Sequence, residues 1–329
     1  MSEDPHPFSL LHPDAILDAV ESTGLRCDGR LQALNSYENR VYQVGIDDAA
    51  PVVVKFYRPG RWSDAAILEE HAFARELVEA EVPLVPPIET EGRTLHAHGG
   101  FRFSVSPKRG GRAPELDRDE VLRWIGRFLG RLHAVGVRTA FIEREQLTPK
   151  GRGHEPVRWL LEHQRVPAEL EPAYRAIAEQ ALEAVDACFA RVGAVTPLRL
   201  HGDCHAGNVL WTDDGPHFVD LDDCCTGPSV QDLWMLVTGD RETQGAQWAA
   251  VLEGYEVFRE FDDAELALVE PLRTLRLLHY AAWLARRWDD PAFPAAFPWF
   301  DNVRYWQDHI LALREQIALM QEPPPRPGR

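Results

Sequence analysis

Three oxygen-bearing side chains, in a fixed order between Leu200 and Asp220, constrain this chain more than any other feature. The segment reads L-H-G-D-C-H-A-G-N-V-L-W-T-D-D-G-P-H-F-V-D, with Asp203, then Asn208, then Asp220 at the end of a short apolar run. Taken singly, an H-x-D sequence is usually structural, and an Asp after an apolar run is usually a helix cap or a turn residue. The ordered set is far more specific, and it predicts a loop followed by a short hairpin.

The spacing of these side chains indicates phosphoryl transfer. Asp203 and Asn208 are separated as in the kinase catalytic loop H-x-D-x-x-x-x-N, and Asp220 stands where a kinase places the acid that holds magnesium. This chemistry needs one carboxylate to orient the attacking hydroxyl and accept its proton, and hard oxygen ligands for the metal that bridges the phosphates. We therefore predict that Asp203 is the base and that Asn208 and Asp220 bind one or two ions.

A zinc site is the competing interpretation of the same segment, because His201, Cys204 and His205 are possible ligands. No second cysteine pair lies at a zinc-site spacing, and Cys224 and Cys225 are adjacent, which does not suit chelation. The five cysteines are odd in number and unevenly spread, as expected for reduced thiols in the cytoplasm. For Cys204 we expect an inert structural thiol, with oxidative sensitivity as the alternative.

Length and charge exclude several classes of function. The 329 residues are 45% apolar and 26% charged, which is typical of a globular chain with room for two lobes. The net charge, 35 minus 52 or -17, argues against general nucleic-acid binding and against adhesion to anionic membranes. The first ten residues lack a secretory signal, and no apolar segment approaches the roughly 20 residues that span a bilayer. We therefore expect a cytoplasmic protein.

The first 107 residues predict a small α+β lobe with an antiparallel sheet. Runs of β-branched and aromatic residues indicate strands, and Ser63 is a suitable helix N-cap. The predicted elements are a helix over 14–22, strands over 41–44 and 52–57, a helix from Ser63 to about Ala80, and strands over 93–97 and 101–106.

Beyond a glycine-containing hinge at 107–112, apolar residues recur mostly at helical spacing. Helices are predicted over 121–136, 168–192, 229–238, 243–259, 263–288 and 302–321. We therefore expect an N-terminal lobe over residues 1–107 and a larger, mainly helical lobe over 108–322. The proline-rich tail, 323–329, is expected to be extended or disordered.

The strand V-V-V-K, which ends at Lys55, is similar to the kinase strand V-A-I-K, whose lysine neutralises phosphate charge. A lysine that ends an apolar strand more often snorkels to a surface, so the strand alone is weak evidence. The helix that follows offers two acids. Glu70 falls on its inward face, and we expect Glu70, rather than the rival Glu69, to pair with Lys55.

The segment 34–40, L-N-S-Y-E-N-R, lies where a kinase keeps its glycine-rich loop, but it has no glycine. Backbone N–H groups and the Ser36 hydroxyl are candidate phosphate ligands. A polar β-turn, which Asn35 and Ser36 favour in any case, is the alternative. This departure excludes a standard eukaryotic protein-kinase loop and indicates an atypical kinase-like protein.

Together these motifs identify a family. H-G-D-C-H-A-G-N followed by F-V-D-L-D-D resembles the aminoglycoside phosphotransferase and choline kinase superfamily, which has the two-lobed protein-kinase fold. Further segments resemble a bacterial branch of protein Ser/Thr kinases within it, and the similarity spans about residues 11–324. These segments are L-N-S-Y-E-N-R-V-Y-Q, V-V-K-F-Y-R-P, R-W, I-L-E-E-H, V-Q-D-L-W-M-L and D-P-A-F-P.

The resemblance implies a role for each matching position. Asp203 is the implied base, Asn208 and Asp220 are the implied Mg²⁺ ligands, Asp220 counts as an active-site residue too, and Ser36 contacts ATP. It also implies a cytoplasmic monomer that phosphorylates protein Ser/Thr hydroxyls and serves in stress survival. D-L-D replaces D-F-G at 220–222, and the nine residues that follow before Asp232 leave no room for a long activation loop.

Two other functions remain open. Kinases of small hydroxyl compounds, of the choline, homoserine and aminoglycoside type, use the same machinery, and an acidic surface suits a cationic small molecule as well as a basic protein. A catalytically silent binding module is the third hypothesis. Such a module need not retain Lys55, Asp203, Asn208 and Asp220 together, so their presence argues against it.

Overall fold

The computed structural model describes residues 6–328, without the side chains of residues 241 and 242, and divides into two compact units. One unit comprises residues up to 113 together with 209–222, and the other comprises 114–208 together with the chain from 223 onward. The lobe boundary at 107/108 stays a prediction about domains, because compact packing does not test where a domain folds independently. Residues 1–5 of the predicted first lobe and residue 329 of the predicted tail lie outside the description.

The first unit is built on a five-stranded antiparallel sheet in the order β1-β2-β3-β5-β4. A separate two-stranded hairpin, β7–β8, also belongs to it. The elements are α1 Pro13–Glu21, β1 Cys27–Leu34, β2 Arg40–Ile46, β3 Ala49–Phe56, α2 Asp64–Glu79, β4 His96–His98, β5 Phe101–Pro107, β7 Val209–Thr212 and β8 Gly215–Phe218.

Strand β3 carries the core on one face and Lys55 on the other. Val52, Val54 and Phe56 are buried in an apolar cluster that includes Ile16 of α1. Because successive side chains alternate between the faces of a strand, Lys55 points away from that cluster. It points toward α2, whose first turn is capped by the Ser63 side chain, as the sequence predicts.

The second unit is mainly helical, with one additional pair of short antiparallel strands. The elements are α3 Asp119–Gly136, α4 Glu155–Glu162, α5 Glu171–Val192, β6 Leu198–Leu200, β9 Cys225–Gly227, α6 Arg241–Tyr255, α7 Val269–Arg286, α8 Ala292–Ala296 and α9 Val303–Gln321. The antiparallel-sheet unit and the mainly helical unit confirm the predicted α+β fold class. Among residues 6–328, no helix has both the length and the apolar character needed to cross a membrane.

Several predicted elements differ from the structure for identifiable reasons. β1 was not predicted, because C-D-G-R-L-Q-A-L has no β-branched residue and contains a turn-forming Asp-Gly pair. Gly29 of this strand has a φ of +86°, where the pairing with β2 changes register. The strand predicted over 93–97 begins only at His96, because a turn with paired Thr90 and Arg93 occupies the residues before it.

In the second unit, the helix predicted over 229–238 is wrong. Two short 3-10 turns, Ser229–Asp232 and Trp234–Leu236, replace it. The helix predicted from residue 263 starts as a 3-10 turn and becomes α7 at Val269, because Pro271 is tolerated only in a first helical turn. Helix α4 was missed. The tail 323–328 has no regular secondary structure, and the Gly328 N–H group donates a hydrogen bond to the Gly245 carbonyl oxygen.

Helices α3 and α6 pack backbone against backbone through glycines. A Cβ atom added at Gly126 would lie 2.0 Å from the Val251 carbonyl oxygen, and one at Gly130 would lie 2.2 Å from the Tyr255 carbonyl oxygen. No side chain fits at these distances, so the two glycines set how closely the helices approach.

We expect Gly130→Ala to lower the free energy of unfolding by about 1–3 kcal/mol, the usual effect of forcing an extra carbon into a packed interior. In a helix without this contact the same change stabilises by up to ~1 kcal/mol, because Ala is the better helix former. Urea unfolding followed by circular dichroism measures the difference. Gly110→Ala is the control, since open space surrounds a Cβ atom at that position. Unchanged stability of Gly130→Ala would contradict this account of the packing.

Candidate active site

In the first unit, the Lys55 ammonium is surrounded by three carboxylates, which we call the Lys55 cluster. Its Nζ atom lies 3.5 Å from Glu70 Oε1, 3.1 Å from Asp220 Oδ1 and 3.0 Å from Asp222 Oδ1. Glu70 is buried, as expected for the inward acid of α2, whereas Glu69 is half-buried. The pairing expected from the sequence is therefore present in the structure, with Asp220 beside it.

The electrostatics of this cluster favour a charged lysine. Burial by itself would lower the pKa of Lys55, but the charges of Asp222, Glu70 and Asp220 outweigh burial and raise that pKa well above its ordinary value. Lys55 therefore remains an ammonium at physiological pH. A fixed ammonium beside an exposed acid is an arrangement suited to binding phosphate through both a cation and a metal.

Asp222 is the member of the cluster to which the sequence analysis gave no role. Its carboxylate also forms an ion pair with Arg61, which lies just before α2. Arg61 is 3.8 Å from Glu38, and Arg58 is 3.2 Å from the same carboxylate. These pairs connect the residues that follow β8 with the loop that precedes β2. The D-L-D sequence at 220–222 and the R-W pair at 61–62 were the available signals.

The loop over residues 35–39 is held by side chains rather than by glycines. None of the described residues 35–39 has a positive φ, which is the physical reason that no glycine is needed. Buried Asn39 accepts a hydrogen bond from the Arg58 N–H group at 3.0 Å, and the Ser36 hydroxyl donates to the Asn39 carbonyl oxygen at 3.3 Å. Ser36 is half-buried, and its hydroxyl supports the loop in this structure.

Asp220 has an unusual backbone. Its φ is +62°, a left-handed conformation that Asp tolerates better than most residues, and it directly follows β8 and Val219. Non-glycine residues in this region concentrate at functional sites. The side chain is 52% exposed, so its carboxylate is open to a ligand while it contacts Lys55.

In the second unit, the segment His201–Asn208 forms a loop whose backbone is fixed by Asp232. The Asp232 carboxylate accepts hydrogen bonds from the N–H groups of His201, at 2.7 Å, and Gly202, at 2.8 Å. Gly202 has a φ of +87°, and a Cβ atom there would lie 2.1 Å from the Asp223 carbonyl oxygen, so glycine is required. The conformation that precedes Asp203 is thus specified by backbone contacts.

Asp232 is itself part of a fully buried network. Its Oδ2 atom lies 3.0 Å from His133 Nε2 of α3, and His133 Nδ1 lies 2.9 Å from the Tyr255 hydroxyl of α6. Asp232 and His133 are both 0% exposed. The loop around Asp203 is therefore anchored to the tightly packed pair of helices α3 and α6.

The Asp203 side chain lies between two cationic or proton-donating groups. Arg276 of α7 forms a short ion pair with Oδ1, and His205 Nε2 lies 3.4 Å from Oδ2. Burial by itself raises the pKa of Asp203, but the hydrogen bond from His205 and the Arg276 charge outweigh burial and hold that pKa well below its usual range. Asp203 is therefore a carboxylate at neutral pH.

Asn208 ends the loop and offers its amide oxygen. Its Nδ2 atom donates to the Asp203 carbonyl oxygen at 2.9 Å, and its backbone N–H group donates to the His205 carbonyl oxygen at 2.9 Å. Because the amide nitrogen is used inside the loop, the Oδ1 oxygen is the atom that remains for a metal. Asn208 belongs to the second unit and Asp220 to the first.

The predicted ligands have the chemistry that Mg²⁺ prefers, each taken within its own unit. Asp220 of the first unit has a half-exposed carboxylate, and Asn208 of the second unit has an amide oxygen. Both are hard oxygen ligands, and Mg²⁺ usually takes few protein ligands and completes its shell with water and phosphate oxygens. Within residues 6–328, no group of three or more His, Cys, Asp or Glu side chains is arranged to hold a metal ion.

Cys204 is 0% exposed, and burial, with Asp232 and Asp203 nearby, raises the pKa of its thiol well above the ordinary value.

Replacement of Asp232 is expected to destabilise the loop His201–Asn208. Asp232→Ala leaves the buried N–H group of His201 and the part-buried N–H group of Gly202 without their acceptor, and the loss of one partner from a buried charged network costs about 3–5 kcal/mol. We expect a fall of this size in the free energy of unfolding, measured with urea. Asp213→Ala, at an exposed turn position, is the matched control. An equal effect of both changes would contradict the anchoring role of Asp232.

Comparison with known proteins shows the family of this chain. A family model described as the phosphotransferase enzyme family matches residues 30–269. Stress response kinase A of Escherichia coli strain K12 is 47% identical to this chain over 324 residues, which cover 98% of both chains. Serine/threonine protein kinase RdoA of Salmonella typhimurium strain LT2 is 46% identical over 324 residues, with the same coverage.

Among solved structures, the amicoumacin kinase hAmiN, in complex with AMP-PNP, Ca²⁺ and Ami, matches with a TM-score of 0.73 over 95% of each chain. The identity is 18%, so this likeness concerns the fold, which is the two-lobed kinase-like fold expected from the sequence. The family match spans most of the chain, and full-length relatives share nearly half of its residues. The chain therefore belongs to the phosphotransferase enzyme family, and it is similar over its whole length to stress response kinase A.

Proposed function

We propose that this protein is an ATP- and Mg²⁺-dependent serine/threonine protein kinase of the bacterial stress response. The observation that carries the phosphotransfer assignment is the Lys55 cluster, in which a charged lysine is fixed by Glu70 beside the exposed carboxylate of Asp220. The full-length similarity to a relative named as a serine/threonine protein kinase supports a protein acceptor. A cytoplasmic monomer is part of the same proposal.

In the proposed reaction, the oxygen of a Ser or Thr hydroxyl attacks the γ-phosphorus of ATP. The bond from that phosphorus to the β–γ bridging oxygen breaks, ADP leaves, and the hydroxyl proton passes to the Asp203 carboxylate. The low pKa of Asp203 keeps this carboxylate ionised, so its main contribution is to orient the hydroxyl and receive the proton as the new bond forms.

Lys55 neutralises phosphate charge, and Glu70 acts by holding Lys55. Asn208 and Asp220 would hold Mg²⁺, which neutralises the negative charge of the phosphates when it is bound. Ser36 is proposed to contact ATP through its backbone N–H group, its hydroxyl or both. Use of the hydroxyl requires it to leave the Asn39 carbonyl oxygen, whereas use of the N–H group does not.

A small-molecule hydroxyl kinase is the second candidate, because the amicoumacin kinase has a similar fold. Transfer of labelled phosphate from ATP separates the candidates. The acceptors are the protein fraction of a host lysate, choline-like amines and aminoglycosides, each tested with the wild-type protein. Labelled protein without labelled small molecules supports the proposal, and the reverse result overturns the protein-kinase assignment. The silent-module hypothesis requires no transfer to any acceptor.

Asp203→Asn is expected to lower the rate of transfer by about 10²–10⁴-fold, the usual contribution of a general base, while ATP binding is nearly unchanged. Single-turnover transfer and calorimetric ATP titration measure the two quantities. Asp289→Asn, an exposed aspartate of the second unit, is the control. If Asp203→Asn retains most of the wild-type rate, Asp203 is not the base.

Lys55→Ala is expected to reduce kcat/KM for ATP more than Glu70→Ala, and the double variant should be little worse than Lys55→Ala alone. The reason is that residues that serve one function lose activity non-additively. Glu69→Ala is the matched control on the same helix. Fully additive losses would give Glu70 a separate function, and a Glu69→Ala effect equal to that of Glu70→Ala would make Glu69 the partner.

A further inference from the structure

Arg276 is the group closest to the proposed base whose purpose the phosphotransfer machinery does not explain. It lies in the middle of α7, and its guanidinium forms an ion pair with Asp203. Its side chain is 44% exposed, whereas that of Asp203 is 21% exposed. An ion pair with a solvent-exposed partner contributes little to stability, so a purely structural role is a weak explanation.

Arg276 retains hydrogen-bonding capacity toward solvent. A guanidinium has five N–H donors in a planar fork that matches a carboxylate. Among the described residues, the contact with Asp203 involves only the first terminal nitrogen, so donors remain on the other nitrogens. The Arg276 N–H groups that do not contact Asp203 can therefore bind an anion next to the hydroxyl that Asp203 is proposed to orient.

Several basic side chains lie near Arg276, although the whole chain carries a net charge of -17. His279 lies three residues further along α7 and so on the same side of the helix. His279 Nε2 is 2.9 Å from Arg152, which also pairs with Glu145 at 3.5 Å. His205 flanks the other carboxylate oxygen of Asp203. Asp203 and Glu145 each form an ion pair with one of these basic residues.

We propose that Arg276 is a specificity-determining residue, which selects acceptor hydroxyls that have a carboxylate beside them. The inference rests on the proposed function and names its acceptor class: a Ser or Thr next to Asp or Glu in a polypeptide. The Arg276 N–H groups that do not contact Asp203 bind the neighbouring carboxylate, while the Asp203 carboxylate accepts the hydroxyl proton. A cationic group at the same place meets a like charge, which disfavours acceptors of the choline and aminoglycoside type.

The test uses peptides of equal length with a single Ser, flanked on both sides by Asp, Asn or Lys. For the wild-type protein, kcat/KM is expected to be about 10-fold higher for the Asp peptide than for the Asn peptide, as for a partly exposed charged hydrogen bond. Arg276→Gln is expected to reduce that ratio to about one, and Arg276→Glu to favour the Lys peptide. Loss of the Arg276 charge also affects Asp203, but this effect is common to all peptides and cancels in the ratio.

Arg304→Gln is the matched control, because it removes an exposed arginine from α9 of the same unit and should leave the ratio unchanged. Phosphorylation of all three peptides at similar rates, or an acid preference that survives Arg276→Gln, overturns the role of Arg276 and leaves the protein-kinase assignment intact.

A parallel series with glycerate, glycerol and choline distinguishes failure of the proposed function. If no peptide is phosphorylated but glycerate is, with the same dependence on Arg276, the anion-selecting role stands and the protein acceptor is wrong. Transfer to choline in preference to glycerate overturns the role of Arg276. Absence of transfer to any peptide or small acceptor overturns both proposals.

Discussion

The buried carboxylate of Asp232 is the interaction on which the second unit's candidate site depends. It accepts hydrogen bonds from two consecutive backbone N–H groups, at His201 and Gly202, and it contacts His133. These partners belong to a loop, which has no ladder of its own, and to a helix that glycines hold tightly against α6. An unpaired carboxylate in this position would be very costly, so these contacts stabilise both the loop and its attachment to the helix.

In the first unit, ion pairs around Lys55 hold a loop in place, as Asp232 does in the second unit. Lys55 has three acidic partners, and one of them, Asp222, also binds Arg61. Glu38 extends the same set to the loop over residues 35–39. A loop without glycine can thus be held in place, because arginine side chains bind its backbone and its acid, and the Asn39 side chain accepts a hydrogen bond from the Arg58 N–H group. Order in this region comes from side-chain pairing rather than from backbone freedom.

The contrast between the Lys55 cluster and Arg276 indicates how kinases with the same fold can act on different acceptors. Lys55, Glu70 and Asp220, which we propose act on the phosphates, have a chemistry that any ATP-dependent kinase needs. Arg276, in contrast, contacts the proposed base from α7, a helix whose buried residues pack into an apolar core of the second unit. Under the proposed role, a change of charge at Arg276 would alter acceptor preference while Lys55, Glu70 and Asp220 stay the same, which is the expected way for function to vary on a shared fold.

Short-range patterns in the sequence determined much of this protein. The Ser63 cap, the α2 helix, the β2–β3 hairpin and the pairing of Lys55 with Glu70 follow from local propensity and from the period of a helix. The edge strand β1, the 3-10 turns at 229–236, and the roles of Asp232, Asp222 and Arg276 were decided only by the tertiary structure. The partners of Asp232, Asp222 and Arg276 lie about 30 to more than 160 residues away, and contacts with those partners outweigh local preference. No local pattern records which distant carboxylate an arginine or a backbone N–H group will meet.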